Sequence, residues 1–154
     1  MSSRERVSSV AAAIALVLAG CAGDGPGPGS ASGDFAEIQT EIFDVSCISA
    51  GCHGAVSPQG GLTLVAGLSY DQLVDVEPTN AFARDMGLLR VAPGLVDDSY
   101  LVRKLTGNLT PGEGIRMPQG AAPLSDDQIQ LVISWIADGA PPPSDEPTPT
   151  PDVQ

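Results

Sequence analysis

The sequence predicts an all-α domain of about four short helices joined by long loops. Apolar residues recur at three- and four-residue spacing in four separate stretches, starting near residues 34, 69, 98 and 125. Each of these stretches opens on a serine or aspartate suited to capping a helix. The stretches are separated by runs rich in glycine and proline, which number 18 and 14 among the 154 residues.

Residues 1–20 read as an export signal. Arg4 and Arg6 form the charged start, and the apolar run from Val10 to Leu18 is too short for a permanent bilayer-spanning helix. The segment ends Leu18-Ala19-Gly20-Cys21, which resembles the lipobox of bacterial lipoproteins. That resemblance implies diacylation of the Cys21 sulfur, cleavage before it and acylation of the new N-terminus. Several acyl chains anchor stably where one holds only marginally. An ordinary cleaved signal is the alternative, and the small residues before Cys21 favour lipidation. The usual retention signal is an aspartate after the cysteine. Ala22 stands there, so the resemblance implies an outer-membrane location where the host has one. Residues 21–33 then form a lipid-anchored flexible linker, AGDGPGPGSASG following the cysteine.

The first helix is expected over residues 34–46. Asp34 caps it with Glu37 three residues on, and Phe35, Ile38, Ile42 and Phe43 share one face. It leads directly into Cys47-Ile48-Ser49-Ala50-Gly51-Cys52-His53, two thiols beside the only histidine of the chain. Such a cluster suits covalent haem c: each thiol adds to a vinyl group, and the adjacent histidine becomes the proximal iron ligand. The common attachment motif has two residues between the cysteines and this one has four. Ser49, Ala50 and Gly51 are small and pliable enough for the extra residues to bulge outward. Three other readings stand beside haem. The cysteines could form a disulfide in an exported protein or simply be buried apolar residues. They could also bind zinc with His53, but a structural site wants four ligands and no second Cys/His pair exists.

Residues 54–68 form a glycine-rich loop in which a backbone carbonyl is expected to accept from the second ring nitrogen of His53, with Pro58 as the candidate. Ser69 and Gln72 suggest a capping box for a helix through about Asp75, carrying Tyr70, Leu73 and Val74. Residues 76–96 read mostly as loop, because Pro78 and Pro93-Gly94 interrupt the apolar Met86, Leu88, Leu89 and Val91. Asp97 or Asp98 is expected to cap a helix with Tyr100, Leu101 and Leu105, ended by Gly107. An irregular segment, 108–124, contains Arg116-Met117-Pro118. The last helix has Ser125 and Gln128 as its cap and a stripe of Ile129, Val132, Ile133 and Ile136, widened by Leu131 and Trp135. Gly139 stops it, and residues 141–154 form a Pro-rich, solvated tail.

An electron-transfer haem with two axial ligands needs a second donor, and methionine is the natural soft one. After the signal the chain offers Met86 and Met117. Met86 lies among leucines, where a methionine usually fills core. Met117 lies in a Gly/Pro-rich loop that otherwise has no reason to place a thioether, and Pro118 restricts it to an extended conformation. Met117 is therefore preferred over Met86, against the plain alternative of a surface methionine.

The order helix, Cys…Cys-His-Gly, loop, short helices, Met-Pro loop and Trp-bearing C-terminal helix resembles a class I cytochrome c domain. The likeness is to the small exported bacterial domains of that superfamily with four residues between the haem cysteines. It covers roughly residues 34–140 and includes Val91-Ala92-Pro93-Gly94, Ser99-Tyr100-Leu101-Val102-Arg103-Lys104-Leu105, Met117-Pro118 and Trp135-Ile136-Ala137-Asp138-Gly139-Ala140. It implies one haem c, held by Cys47 and Cys52 and ligated by His53 and Met117. It sets the zinc reading aside. It also implies that the first and last helices cross near the haem edge, with Phe43 and Trp135 as packing partners. Arg90 or Arg116 is expected to meet the haem propionates.

Removing residues 1–20 takes away Arg4, Arg6 and Glu5, leaving 18 acidic and 5 basic side chains. Such an excess argues against nucleic acid as a partner and suits either solubility or docking to a basic face on a redox protein. The expected function is a lipid-anchored monohaem electron carrier outside the cytoplasm, not an enzyme. The alternatives are a haem-free, disulfide-closed cell-surface interaction domain, or a redox subunit or open-site haem protein serving a larger enzyme.

Overall fold

A computed structural model describes residues 34–144; the expected signal, Cys21, the expected linker and the expected tail beyond Ser144 lie outside the described residues. Five helices make up the domain: α1 (Phe35–Ile38), α2 (Ser69–Leu73), α3 (Ala81–Asp85), α4 (Tyr100–Thr106) and α5 (Asp126–Ala137). No strand occurs among the described residues, only two isolated bridges, Val74 with Val91 and Leu89 with Ser99. No helix among them is long and apolar enough to cross a membrane.

The Asp34 carboxylate caps α1 through the Ala36 amide at 3.0 Å. The helix continues as a π-helical segment, Gln39–Cys47. Two side-chain contacts there span five residues, in keeping with the wider turn. Gln39 donates to the Asp44 carboxylate at 2.7 Å, and the Cys47 thiol approaches the Ile42 carbonyl at 3.7 Å. Phe35, Ile38, Ile42 and Phe43 are all buried, as their spacing predicts. Both α1 and α4 pack on α5, whose Ile129, Val132, Trp135 and Ile136 enter the core while Leu131 and Ile133 stay half-buried. Burying each large apolar side chain contributes about 1.5–3 kcal/mol, so this junction supplies much of the stability.

Phe35, rather than Phe43, meets Trp135. The Phe35 ring centre lies 5.1 Å from Trp135, 5.2 Å from Tyr70 and 6.1 Å from Phe43. The expected Phe43–Trp135 pair is thus bridged by Phe35, two turns back along the same face.

The capping box of α5 forms as expected. Ser125 Oγ accepts from the Gln128 amide at 3.2 Å, and Gln128 Oε1 accepts from the Ser125 amide at 3.0 Å. The other two expected caps do not form. Ser69 lies inside the first turn of α2, where its hydroxyl donates to the buried Gln39 side chain, and Leu68 occupies the cap position. Ser99, not Asp97 or Asp98, stands before α4, and its hydroxyl ties together the Ala92 amide and the Leu95 carbonyl, each at 2.9 Å. At Ser69 a long-range polar bond inside the core outweighs the local cap, whereas the Ser99 hydroxyl is taken by partners seven and four residues back. Helix α3 lies in the stretch read as loop. It is too short to display a periodic stripe, and its one sequence cue is Asn80, which accepts from the Ala83 amide at 2.8 Å.

Ordered structure continues past Ala140. The Ala140 carbonyl accepts from the Tyr70 hydroxyl and the Pro141 carbonyl accepts from the Trp135 indole, both at 2.9 Å. The first prolines of the tail therefore complete the aromatic cluster.

Candidate functional site

Cys47 lies in the last turn of the π-helical segment, and the chain then folds back on itself. The Cys52 amide donates to the Ser49 carbonyl at 2.9 Å and the His53 amide to the Cys47 carbonyl at 3.0 Å. Gly51 takes a φ of 81°, which closes this turn without steric cost. A Cβ on Gly54 would lie 3.0 Å from the Ile48 carbonyl oxygen, so a side chain there would require the neighbouring backbone to give way slightly. The four residues between the cysteines thus form a closed turn that returns Cys52 toward Cys47.

His53 Nδ1 lies 3.0 Å from the Leu62 carbonyl. The sequence pointed to Pro58 for this role, but Pro58 opens a 3-10 turn at Gln59–Gly61 and its carbonyl accepts from the Gly61 amide. The His53 carbonyl accepts from the Leu64 amide at 2.8 Å, so the residue is gripped by main chain and side chain alike.

A cavity of about 810 Å³ opens beside this turn, and Cys47, Cys52, His53 and Met117 all line it. Phe43, Leu62, Leu64, Leu73, Leu101 and Leu105 supply much of its apolar wall. The volume falls within the roughly 300–1,000 Å³ typical of small-molecule and cofactor sites. A smaller hollow of about 310 Å³, beside Phe35, Tyr70 and Pro142, has no thiol, imidazole or thioether on its walls.

Both thiols are free. Burial first, and the nearby Cys52 second, push the Cys47 thiol up to about 11, so it is protonated at neutral pH. A zinc thiolate would require removal of that proton. Among the described residues no three His, Cys, Asp or Glu side chains stand together as a metal-holding group.

Met117 is half-buried against the core, and its amide donates to the Lys104 carbonyl at 2.8 Å. Met86 caps the C-terminus of α3, is 46 % exposed and does not reach the cavity. Its leucine-rich neighbourhood suggested core filler, but the one-turn helix points it outward.

Arg90 lines the cavity at 8 % exposure. Its guanidinium is held by backbone carbonyls, that of Gln72 at 2.8 Å and that of Gly61 at 3.2 Å. Arg116 turns away to the Leu105 carbonyl at 2.8 Å.

Sequence reading missed Glu113, which is fully buried on the cavity wall. Its carboxylate takes Nε and Nη2 of Arg103 at 2.6 Å each, and the Thr110 hydroxyl at 2.6 Å. The Arg103 hydrogen bond is the main cause holding this carboxyl down to about 2. A glutamate between two glycines of an irregular loop gives no sequence signal of burial.

No protein-family model, curated protein or solved structure matches this chain.

Proposed function

We propose that this protein is a lipid-anchored monohaem cytochrome c, of class I-like fold, that carries single electrons outside the cytoplasm. One observation carries the reading: both thiols, the only imidazole of the chain and Met117 line a single, largely apolar cavity of cofactor size. Cys47 and Cys52 would hold the porphyrin, and His53 and Met117 would ligate its iron. When bound, haem supplies the one-electron Fe(III)/Fe(II) couple.

The chain's own groups fit that role. A carbonyl only accepts, so the contact with Leu62 puts the imidazole proton of His53 on Nδ1 and leaves the Nε2 lone pair free for a metal. The leucines supply an apolar wall, and a thioether donor in such a setting favours a positive reduction potential. With His53 and Met117 both ligating the iron, the protein would leave no position for a substrate, which would suit a carrier. Of the two arginines expected near the propionates, Arg90 lines the cavity and has a buried positive charge to offer. The acidic surface fits a redox partner with a basic face, and acylated Cys21 would hold the domain at the bacterial cell envelope.

The test is a pyridine haemochrome spectrum of protein exported through a cytochrome c maturation system. Haem that stays with the polypeptide on denaturing electrophoresis is expected. A colourless product would leave a haem-free surface interaction domain, and ready carbon monoxide binding by the reduced protein would favour an open-site haem protein.

A further inference from the structure

We infer that Glu113, acting through Arg103 and Thr110, is a positioning residue that fixes Met117 at the cavity wall. The inference rests on the haem reading above, and it concerns how the distal ligand is kept in place. Met117 belongs to an irregular segment between α4 and α5, and such a segment has no register of its own. Its register comes from α4. The Met117 amide is bonded to the Lys104 carbonyl and the Arg116 side chain to the Leu105 carbonyl, each at 2.8 Å.

Glu113 is the third and strongest tie, and every one of its oxygens is engaged. Arg103 donates to Oε1 and Oε2, and the amide and hydroxyl of Thr110 both close on Oε2. The Glu113 carbonyl accepts from the Tyr100 hydroxyl and from the Lys104 ammonium. A forked guanidinium–carboxylate pair constrains orientation as well as distance. Tyr100, Arg103 and Lys104 all belong to α4, so the turn at 110–113 is pinned to that helix four residues before Met117. A loop needing only solubility would expose its glutamate. This one is wholly buried on the wall of the cavity that Met117 lines.

The test is imidazole titration of the full-length ferric holoprotein, in which the added ligand competes with Met117. Glu113→Gln is expected to bind imidazole at least about tenfold more tightly, a shift of about 1.4 kcal/mol. Its affinity should move toward that of Met117→Ala, while covalent haem content and far-UV circular dichroism stay as in wild type. Thr110→Val, which keeps the Arg103 pair, should fall between wild type and Glu113→Gln. Hydrogen exchange at the Met117 amide should accelerate in the same order. If Glu113→Gln does not fold, Thr110→Val decides by the same two measurements.

Unchanged imidazole affinity and unchanged Met117 exchange in folded variants would overturn the inference and leave the haem reading standing. Loss of fold in Thr110→Val as well would make the cluster a structural strut and overturn it too. A wild type without covalent haem would overturn the haem reading itself, and this inference with it.

Discussion

His53 is tied through Nδ1 to the carbonyl of Leu62, nine positions further along the chain, at 3.0 Å. The ring is thereby fixed in one tautomer, an arrangement that recurs in metal-binding imidazoles. In the reduced, nitrogen-15-labelled holoprotein, the imidazole proton is expected on Nδ1 and protected from solvent exchange. An Nδ1 proton exchanging as fast as that of a free imidazole would contradict the contact.

The two methionines differ in setting, and their substitutions should differ accordingly. Met117 lines the cavity and Met86 stands 46 % exposed beyond it. Met117→Ala should abolish the red-edge charge-transfer band of methionine-ligated ferric haem, lower the potential and admit carbon monoxide. Met86→Ala should leave all three unchanged and shift stability by no more than about 0.5 kcal/mol. The reverse pattern would move the distal ligand to Met86.

What could be read in the sequence divides along the range of the forces involved. The apolar faces of α1 and α5 were legible, because Phe35, Ile38, Ile42, Phe43, Ile129, Val132 and Ile136 follow helical spacing and all are buried. The Ser125–Gln128 box was legible because both halves lie within one turn. Ser69 misled because its hydroxyl serves a partner brought near only by the fold, Gln39 from thirty residues away, and Asp97 and Asp98 misled because the helix begins only after Ser99. The contents of the cavity wall were partly legible. Cysteine, histidine and methionine announce themselves by rarity, whereas Glu113 is one of 19 acidic residues and gains its meaning from Arg103.

Removing both thiols should unsettle the whole domain. Burying on the order of 400 Å² of porphyrin at about 25 cal/mol per Å² gives roughly 10 kcal/mol, which matches the net stability of a typical domain. The cavity of about 810 Å³ would otherwise stand among core residues without filling. A Cys47→Ala, Cys52→Ala double variant is therefore expected to lack haem and to be poorly folded by circular dichroism. A haem-free variant with the wild-type unfolding midpoint would contradict this.

Acid should loosen the turn at 110–113 in a defined window. The Glu113 carboxyl is held down to about 2 from an ordinary 4.5, chiefly by its hydrogen bond from Arg103. The folded state thus favours the ionised form. The resulting stability is fully present above about pH 4.5 and is lost as pH falls toward 2. Glu113→Gln should cost about 1.5–3 kcal/mol at neutral pH, the range for hydrogen bonds to charged groups. It should also flatten the acid limb of stability against pH, measured by denaturant unfolding. An acid limb as steep as that of wild type would place the titrating group elsewhere.

The stub of the tail is expected to matter while the rest does not. Trp135 is completely buried, and its indole N–H is satisfied by the Pro141 carbonyl at 2.9 Å. A chain ending at Ala140 removes that acceptor and leaves a buried donor unpaired, at a cost of about 1–3 kcal/mol. A chain ending at Ser144 keeps the acceptor and should unfold at the wild-type denaturant midpoint. Trp135→Phe separates this bond from the loss of packing by the prolines, because phenylalanine has no N–H to satisfy. In that background, truncation at Ala140 should cost measurably less than it does in wild type. Equal costs in the two backgrounds would show that the prolines act by covering Phe35 and Tyr70 rather than by accepting the indole proton.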